Sequence, residues 1–278
     1  MYSINCKGKL LLFDKPQVMG IINLTPDSFY KGHLGIESGS LLDMAGKMIE
    51  EGAAILDIGG QSTRPGSERI GADEEIKRII PAIHKIQQHF PGCIISADTY
   101  YSDVALAAVE AGASIINDIS AGDLDENMLA TVADLKVPYI CMHMQGTPQT
   151  MQQNPVYEDV VASVLDFFIA KTAACKNAGI TDIIIDPGFG FGKTVKHNFQ
   201  LLNQLAAFAI IGKPVLVGLS RKSTIYKTLD NTADEALNGT SVLNTMALMN
   251  GASILRVHDV KEAAETVLLY TAYKKASR

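Results

Sequence analysis

The chain has 278 residues, 47% of them hydrophobic and 19% charged, with a formal net charge of −6. A core of that size needs no disulfide or metal staple, and mixed charges without a basic stripe speak against a nucleic-acid partner. No apolar run approaches a membrane span, the start lacks a charged-then-apolar leader pattern, and four scattered cysteines without C-x-x-C spacing suit a reducing compartment. The expectation is a cytoplasmic protein that meets no membrane.

Residues 2–15 read as a small hairpin turning near Gly8, placed to close the bottom of a barrel. Short β-type runs then recur at 18–23, 54–59, 93–98, 114–119, 138–143, 182–187, 214–219 and 253–258, rich in Ile, Val and Leu and bounded by turn residues. Near-continuous apolar runs of this kind fit parallel strands buried on both faces. Helical patterns lie between them. "LLDMAGKMIEEG" ends at Gly52, as a helix with a glycine just past its end does. "DEEIKRIIPAIHKIQQHF" carries acids first and bases later, and Pro81 predicts a kink or a late start. "EEGAAIL", "EAGASII" and "MNGASIL" form a weak internal repeat. Eight βα units in one chain of this size point to a (β/α)8 TIM barrel, with a doubly wound open sheet as the alternative. The expected organisation is a single domain over 1–278, with the hairpin in 1–16 and the eight units in 17–278.

Nearly every run ends in a polar side chain: Asn23, Asp57, Asp98, Asn117, His143, Asp186, Ser220 and His258. In barrels, strand C-termini carry the chemistry, so eight such residues suggest a ring around a pocket. Side chains alternate along a strand, which puts Arg256 and His258 on one face and turns His143 away from Met142. Met142 is therefore taken as pocket lining and His143 as a structural histidine, with His33, His84, His89 and His197 in helices or loops. The loops "NLTPDSFYKGHLG", "GGQSTRPGSERIG" and "LSRKST" combine Gly, Ser, Thr and Arg, a donor set that suits an anion. "DPGFGFGKT" misses both common nucleotide loops by one position. Lys193 within it is expected at the surface. No nucleophilic triad and no protein zinc motif is present. Carboxylates such as Asp186 can accept paired hydrogen bonds from an amidine-like heterocycle edge.

The motifs "MGIINLTPDSF", "GGQSTRPG", "INDIS", "MHMQG", "DPGFGFGK", "GLSRKS" and "RVHDV" together resemble the dihydropteroate synthase family of pterin-binding enzymes, from about residue 18 onward. The resemblance implies a (β/α)8 barrel, usually a homodimer pairing through its last helices. It implies condensation of 6-hydroxymethyl-7,8-dihydropterin pyrophosphate with p-aminobenzoate, release of pyrophosphate with Mg²⁺, and inhibition by sulfonamides. It assigns the pterin pocket to Asp98, Asn117, Ile119, Met142, Asp186, Gly218, Lys222 and Arg256. Asn23 would contact Mg²⁺, and Arg64, Thr63, Arg256 and His258 would hold the diphosphate. Phe29, Thr63, Pro65, Phe191, Lys222 and Ser223 would form the p-aminobenzoate side. Catalysis would fall to Asp98, Lys222, Arg256, His258 and Arg64. The chain departs from the family pattern at "YKGHLG" after strand 1, at Gln61, and at "DTYYSD" after Asp98. A pterin-dependent methyltransferase and a silent pterin-binding paralogue are the alternatives.

Overall fold

The computed structural model describes residues 2–25, 38–62, 67 and 69–276. Strands β1 (Ser3–Cys6) and β2 (Lys9–Leu12) pair antiparallel across a two-residue turn. Lys7 and Gly8 both hold positive φ there, 51° and 89°, as a tight hairpin of this twist requires. Alternation buries Ile4 and Cys6 and exposes Ser3 and Asn5.

Eight parallel strands follow: β3 (Gln17–Asn23), β4 (Ile55–Gly59), β5 (Ile94–Asp98), β6 (Ile115–Asp118), β7 (Tyr139–Met142), β8 (Ile183–Asp186), β9 (Leu216–Val217) and β10 (Ile254–Val257). They pair in the order β8-β7-β6-β5-β4-β3-β10-β9. A parallel bridge between Ile185 and Val215 joins the two ends of that order. The sheet therefore curls into a barrel, which removes its edges, and the open-sheet alternative falls.

The helices are α1 (Ser38–Glu50), α2 (Ala72–His89), α3 (Ser102–Ala111), α4 (Met128–Leu135), α5 (Val160–Ala178), α6 (Val195–Asn203), α7 (Ser223–Leu229), α8 (Leu237–Met249) and α9 (Val260–Ala276). Gly52 closes off α1 at φ 104°, and Asp159 caps α5 by accepting from the N–H groups of Val161 and Ala162. Helix α2 runs through Pro81 without ending or starting there. Two further departures concern the unit count. A 3-10 turn (Leu205–Ile211) follows α6, and two helices rather than one separate β9 from β10.

The barrel interior is built in layers. Met19, Ile55, Ile94, Ile115, Ile140, Ile184, Leu216 and Ile254 form its floor, and Ile4 and Cys6 of the hairpin pack into the same cluster. The hairpin thus plugs the N-terminal end. The opposite strand faces join the helices in the large outer core. Two residues beyond the floor, the same inward faces carry Asp57, Ser96, Asn117, Asp186 and Arg256. A floor of branched aliphatics leaves the polar groups at the C-terminal mouth.

Candidate active site

Arg256, on β10, spans the mouth. Its Nε donates to Asp57 Oδ2 at 2.6 Å and its Nη2 to Asp98 Oδ2 at 2.6 Å. Asn117 on β6 adds a third tie, Nδ2 to Asp57 Oδ2 at 3.1 Å. Asp57 is fully buried, so its charge is compensated from within the barrel. Burial pushes Asp98 up to about 7 against the opposing pull of Arg256, and the negative charges of Asp57, Asp118 and Asp186 add to the rise. Burial pulls Arg256 down, but Asp57 and Asp98 outweigh it and hold its pKa above the ordinary value. A guanidinium has five N–H donors, so two committed donors leave capacity for an anion.

Asp186 ends β8, and its Oδ1 accepts the backbone N–H of Gly188 at 2.8 Å. Burial raises its pKa, offset by Lys222, the Gly188 N–H, Arg256 and Lys193. Lys222 stands beside it in the loop before α7. Its Nζ donates to Phe189 O at 2.6 Å and lies 4.9 Å from the centre of the Phe191 ring, a cation–π contact. Burial pulls Lys222 down to about 8, with Asp186 opposing. Gly218 sits under the same ammonium, since a Cβ there would lie 3.7 Å from Lys222 Nζ.

Ile119 and Met142 form an apolar wall with Tyr100, and Phe191 packs against it. His258 lies exposed on the rim. Its ring Nδ1 meets Ser220 Oγ at 3.1 Å, and its backbone N–H donates to the same hydroxyl at 3.2 Å. Arg221, next to Ser220, grips both oxygens of Asp259 at 2.8 and 2.9 Å, which ties the loop after β9 to the loop after β10. Ser223 is half-buried at the start of α7, and Asn23 is half-buried at the end of β3. Phe29, Thr63, Arg64, Pro65 and the "YKGHLG" stretch lie outside the described residues, as does His33.

The departures at Gln61 and "DTYYSD" meet in space. Gln61 Oε1 accepts from Tyr100 Oη at 2.9 Å and from the Ile70 N–H at 3.0 Å, and Tyr101 Oη donates to Ile70 O at 2.7 Å. Gln61 Nε2 faces the buried Glu75 carboxyl at 3.4 Å, which burial pushes up to about 8. An amide at 61 can donate to that carboxyl, whereas a second carboxylate could not.

Lys193 is not a surface residue. It is 2% exposed, and its ammonium bonds the Gly188 and Phe191 carbonyls at 3.0 and 2.9 Å and His143 Nδ1 at 2.8 Å. His143 does face away from the pocket and is buried and partnered, as a structural histidine should be. Sequence reasoning overlooked Asp57 as the anchor of Arg256. Its inward parity with Asn117 and Arg256 was the available signal.

Comparison with known proteins bears directly on this arrangement. The family described as "Pterin binding enzyme" matches residues 19–258. The dihydropteroate synthase of Haemophilus influenzae is 44% identical over 271 residues, covering 97% of this chain and 98% of that protein. The crystal structure of Yersinia pestis dihydropteroate synthase with a sulfonamide drug complex superposes with a TM-score of 0.94 at 38% identity, covering 99% of this chain and all of that one. The Xanthomonas albilineans enzyme in complex with 7,8-dihydropteroate gives a TM-score of 0.89 at 37% identity, covering 98% of this chain and 99% of that one. With the motifs, the barrel and the charged mouth in agreement, the chain belongs to the dihydropteroate synthase family of pterin-binding enzymes.

Proposed function

We propose that this chain condenses 6-hydroxymethyl-7,8-dihydropterin pyrophosphate with p-aminobenzoate to give 7,8-dihydropteroate and pyrophosphate. The observation that carries this is the paired clamp of Arg256 with Asp57 and Asp98, set beside Asp186 and Lys222 at a single barrel mouth. The pterin ring lies over the wall of Ile119 and Met142. Asp186 accepts from its 2-amino and ring N–H edge, Asn117 lies alongside, and Lys222 donates to the oxo side. The diphosphate meets Arg256 and His258, with Arg64 and Thr63 from the loop after β4. The aniline ring is held between Phe191, Ser223, Pro65, Thr63 and Phe29, and sulfonamides would compete for that space.

The chemistry follows from charge. The bond between the pterin CH₂ and the diphosphate oxygen breaks, and the oxygen keeps the electron pair. The cation left behind is shared with the electron-rich ring and faces Asp98. The aniline nitrogen then attacks the CH₂ and loses a proton to solvent or to the departing pyrophosphate. Arg256 and His258 stabilise the leaving charge, and positioning matters more than base strength for so weak a nucleophile.

Among the described residues no cluster of three His, Cys, Asp or Glu side chains could cage a metal. Asn23, half-buried at the end of β3, offers one neutral oxygen, which fits Mg²⁺ arriving on the diphosphate, since Mg²⁺ keeps its waters and takes one or two protein oxygens. The Asn23 amide oxygen would hold it. When bound, it neutralises charge developing on the leaving group.

The direct test is to mix the protein with the pterin pyrophosphate and Mg²⁺, with and without p-aminobenzoate. Stoichiometric dihydropteroate and pyrophosphate are expected only when both substrates are present. Tight pterin binding without product would instead point to a silent paralogue.

We further propose a homodimer through α8 and α9. Val242, Met246 and Met249 repeat on one exposed face of α8, and Leu268, Leu269 and Tyr273 stand out on α9, each at least 44% exposed. Apolar surface of that extent on adjacent helices marks a contact face. Light scattering after size exclusion is expected to give twice the chain mass, and Leu269→Glu to give a monomer. A wild-type monomer would end the claim. The reducing cytoplasm suits the four free cysteines, and no described helix is long and apolar enough to cross a membrane.

A further inference from the structure

The loop between Asp186 and α6 carries three positive-φ glycines, Gly188, Gly190 and Gly192, at 68°, 84° and 62°. Two of them press against the chain that follows β7. A Cβ at Gly188 would lie 1.9 Å from His143 O, and one at Gly192 would lie 2.4 Å from Gln145 O. The close approach these glycines permit is thus to neighbouring backbone, and Lys193 is buried beside it.

Burial pulls Lys193 down to about 7, with Asp186 opposing. As the ammonium it has three protons, and three acceptors surround it: Gly188 O at 3.0 Å, Phe191 O at 2.9 Å and His143 Nδ1 at 2.8 Å. His143 O stands a little further off at 3.3 Å. His143 can accept at Nδ1 only if its own proton sits on Nε2. Burial, with Lys193 adding to it, drives the ring down to about 3, so it stays neutral. The ring is backed edge-on by Phe167, 4.8 Å away.

Three contacts of the candidate site issue from this one loop. The Gly188 N–H orients Asp186 at 2.8 Å, Phe189 O holds Lys222 at 2.6 Å, and the Phe191 ring lies under the same ammonium. Lys193 is buried behind the loop and its donors are taken by protein acceptors, so it acts through these groups.

We infer that Lys193 is a positioning residue, a buried hydrogen-bonding pin that fixes the 187–192 loop so that Asp186, Lys222 and Phe191 are preset for the pterin and the aminobenzoate. This rests on the dihydropteroate synthase reading above. His143, the residue just after β7, supplies part of the pin's seat, on the face opposite Met142.

Lys193→Met keeps the stem and removes the donors. Affinity for an unreactive 6-substituted pterin is measured by calorimetry, and KM for p-aminobenzoate and kcat by product formation. The pterin Kd and the aminobenzoate KM are each expected to rise about tenfold, the loss of a net hydrogen bond or so of orientation, with kcat at saturation changed less than about threefold. A folded variant with both constants within about twofold of wild type, or with its loss confined to kcat, overturns the inference. If Lys193→Met does not fold, His143→Leu removes one acceptor and should shift both constants the same way by about threefold, and unchanged constants overturn it. In the wild type at about pH 5, where Lys193 is the ammonium, ¹⁵N spectra should show His143 neutral and protonated at Nε2, and a proton at Nδ1 there overturns the pin. A wild-type protein that fails to bind pterin sinks the functional reading itself, whereas a normal wild type with an unaltered variant sinks only the role of Lys193.

Discussion

Arg256→Met is expected to cost about 3–5 kcal/mol of stability, because it leaves carboxylates facing one another in a dry barrel without their cation. Asp57 is fully buried and Asp98 nearly so, and both bond to this guanidinium. Turnover should fall by about 10²–10³-fold as well, the usual cost of removing one donor aimed at developing negative charge. The two losses separate by pH. Asp98 already stands at about 7 in the folded chain, against 3.8 as its ordinary value, and Arg256 is what opposes the rise. Without Arg256 the folded value climbs further. A carboxyl whose folded pKa exceeds its unfolded one carries no penalty below the unfolded value and loses stability as pH rises through the folded one. Denaturant titrations should therefore show the variant closer to wild type at pH 5 than at pH 8.5, with turnover reduced at both. Equal stability to wild type at pH 8.5 would contradict the clamp.

Asp186→Asn should weaken pterin binding by roughly a hundredfold while leaving the fold intact. The amide oxygen can still accept from the Gly188 N–H. The second oxygen becomes an NH₂ donor that would face the donor edge of the ring. Losing one or two charge-assisted bonds is worth about 3 kcal/mol, which gives that factor. The melting temperature should hold or rise, because burial disfavours the charge that is removed. KM for p-aminobenzoate, measured at saturating pterin pyrophosphate, should move little. Calorimetry that finds native pterin affinity in a folded variant would reassign the ring-reading carboxylate.

The strand layout was legible because parallel strands buried on both faces leave near-continuous Ile and Val runs between turn residues. Floor and mouth were legible for a simpler reason. Arg256 lies two residues after Ile254 and Asp57 two after Ile55, so each shares an inward face with the floor. What the same rule did not reveal was partnership. Asp57 was visible as a strand-end carboxylate, yet its bond to Arg256 spans 199 positions, and no local pattern announces it. Lys193 failed for another reason. A lysine after a glycine-rich loop normally reaches water, and only the left-handed turns of Gly188, Gly190 and Gly192 fold three acceptors around this one. The helix pair before β10 was missed because each strand was given one following helix, whereas Asp230, left-handed at φ 52°, stops the first at Leu229 and a second starts at Leu237.

The plugged floor also fixes an order of events in time. Asn5 of the hairpin donates its N–H to Asp182 Oδ2, 177 positions away, and Lys9 reaches Pro91 O. Strand β3 pairs on one side with β4 and on the other with β10, from Gln17 to Ile254. At a ribosome adding about 5–20 residues each second, β10 follows β3 by roughly 10–50 seconds. Throughout that interval the floor under the hairpin is incomplete, lacking Ile254, and one edge of β3 waits for a partner not yet made. Of the eight barrel strands the last to leave the ribosome, β10, is the one that seals the first, β3, so the nascent barrel spends its longest exposure open along the β3 edge.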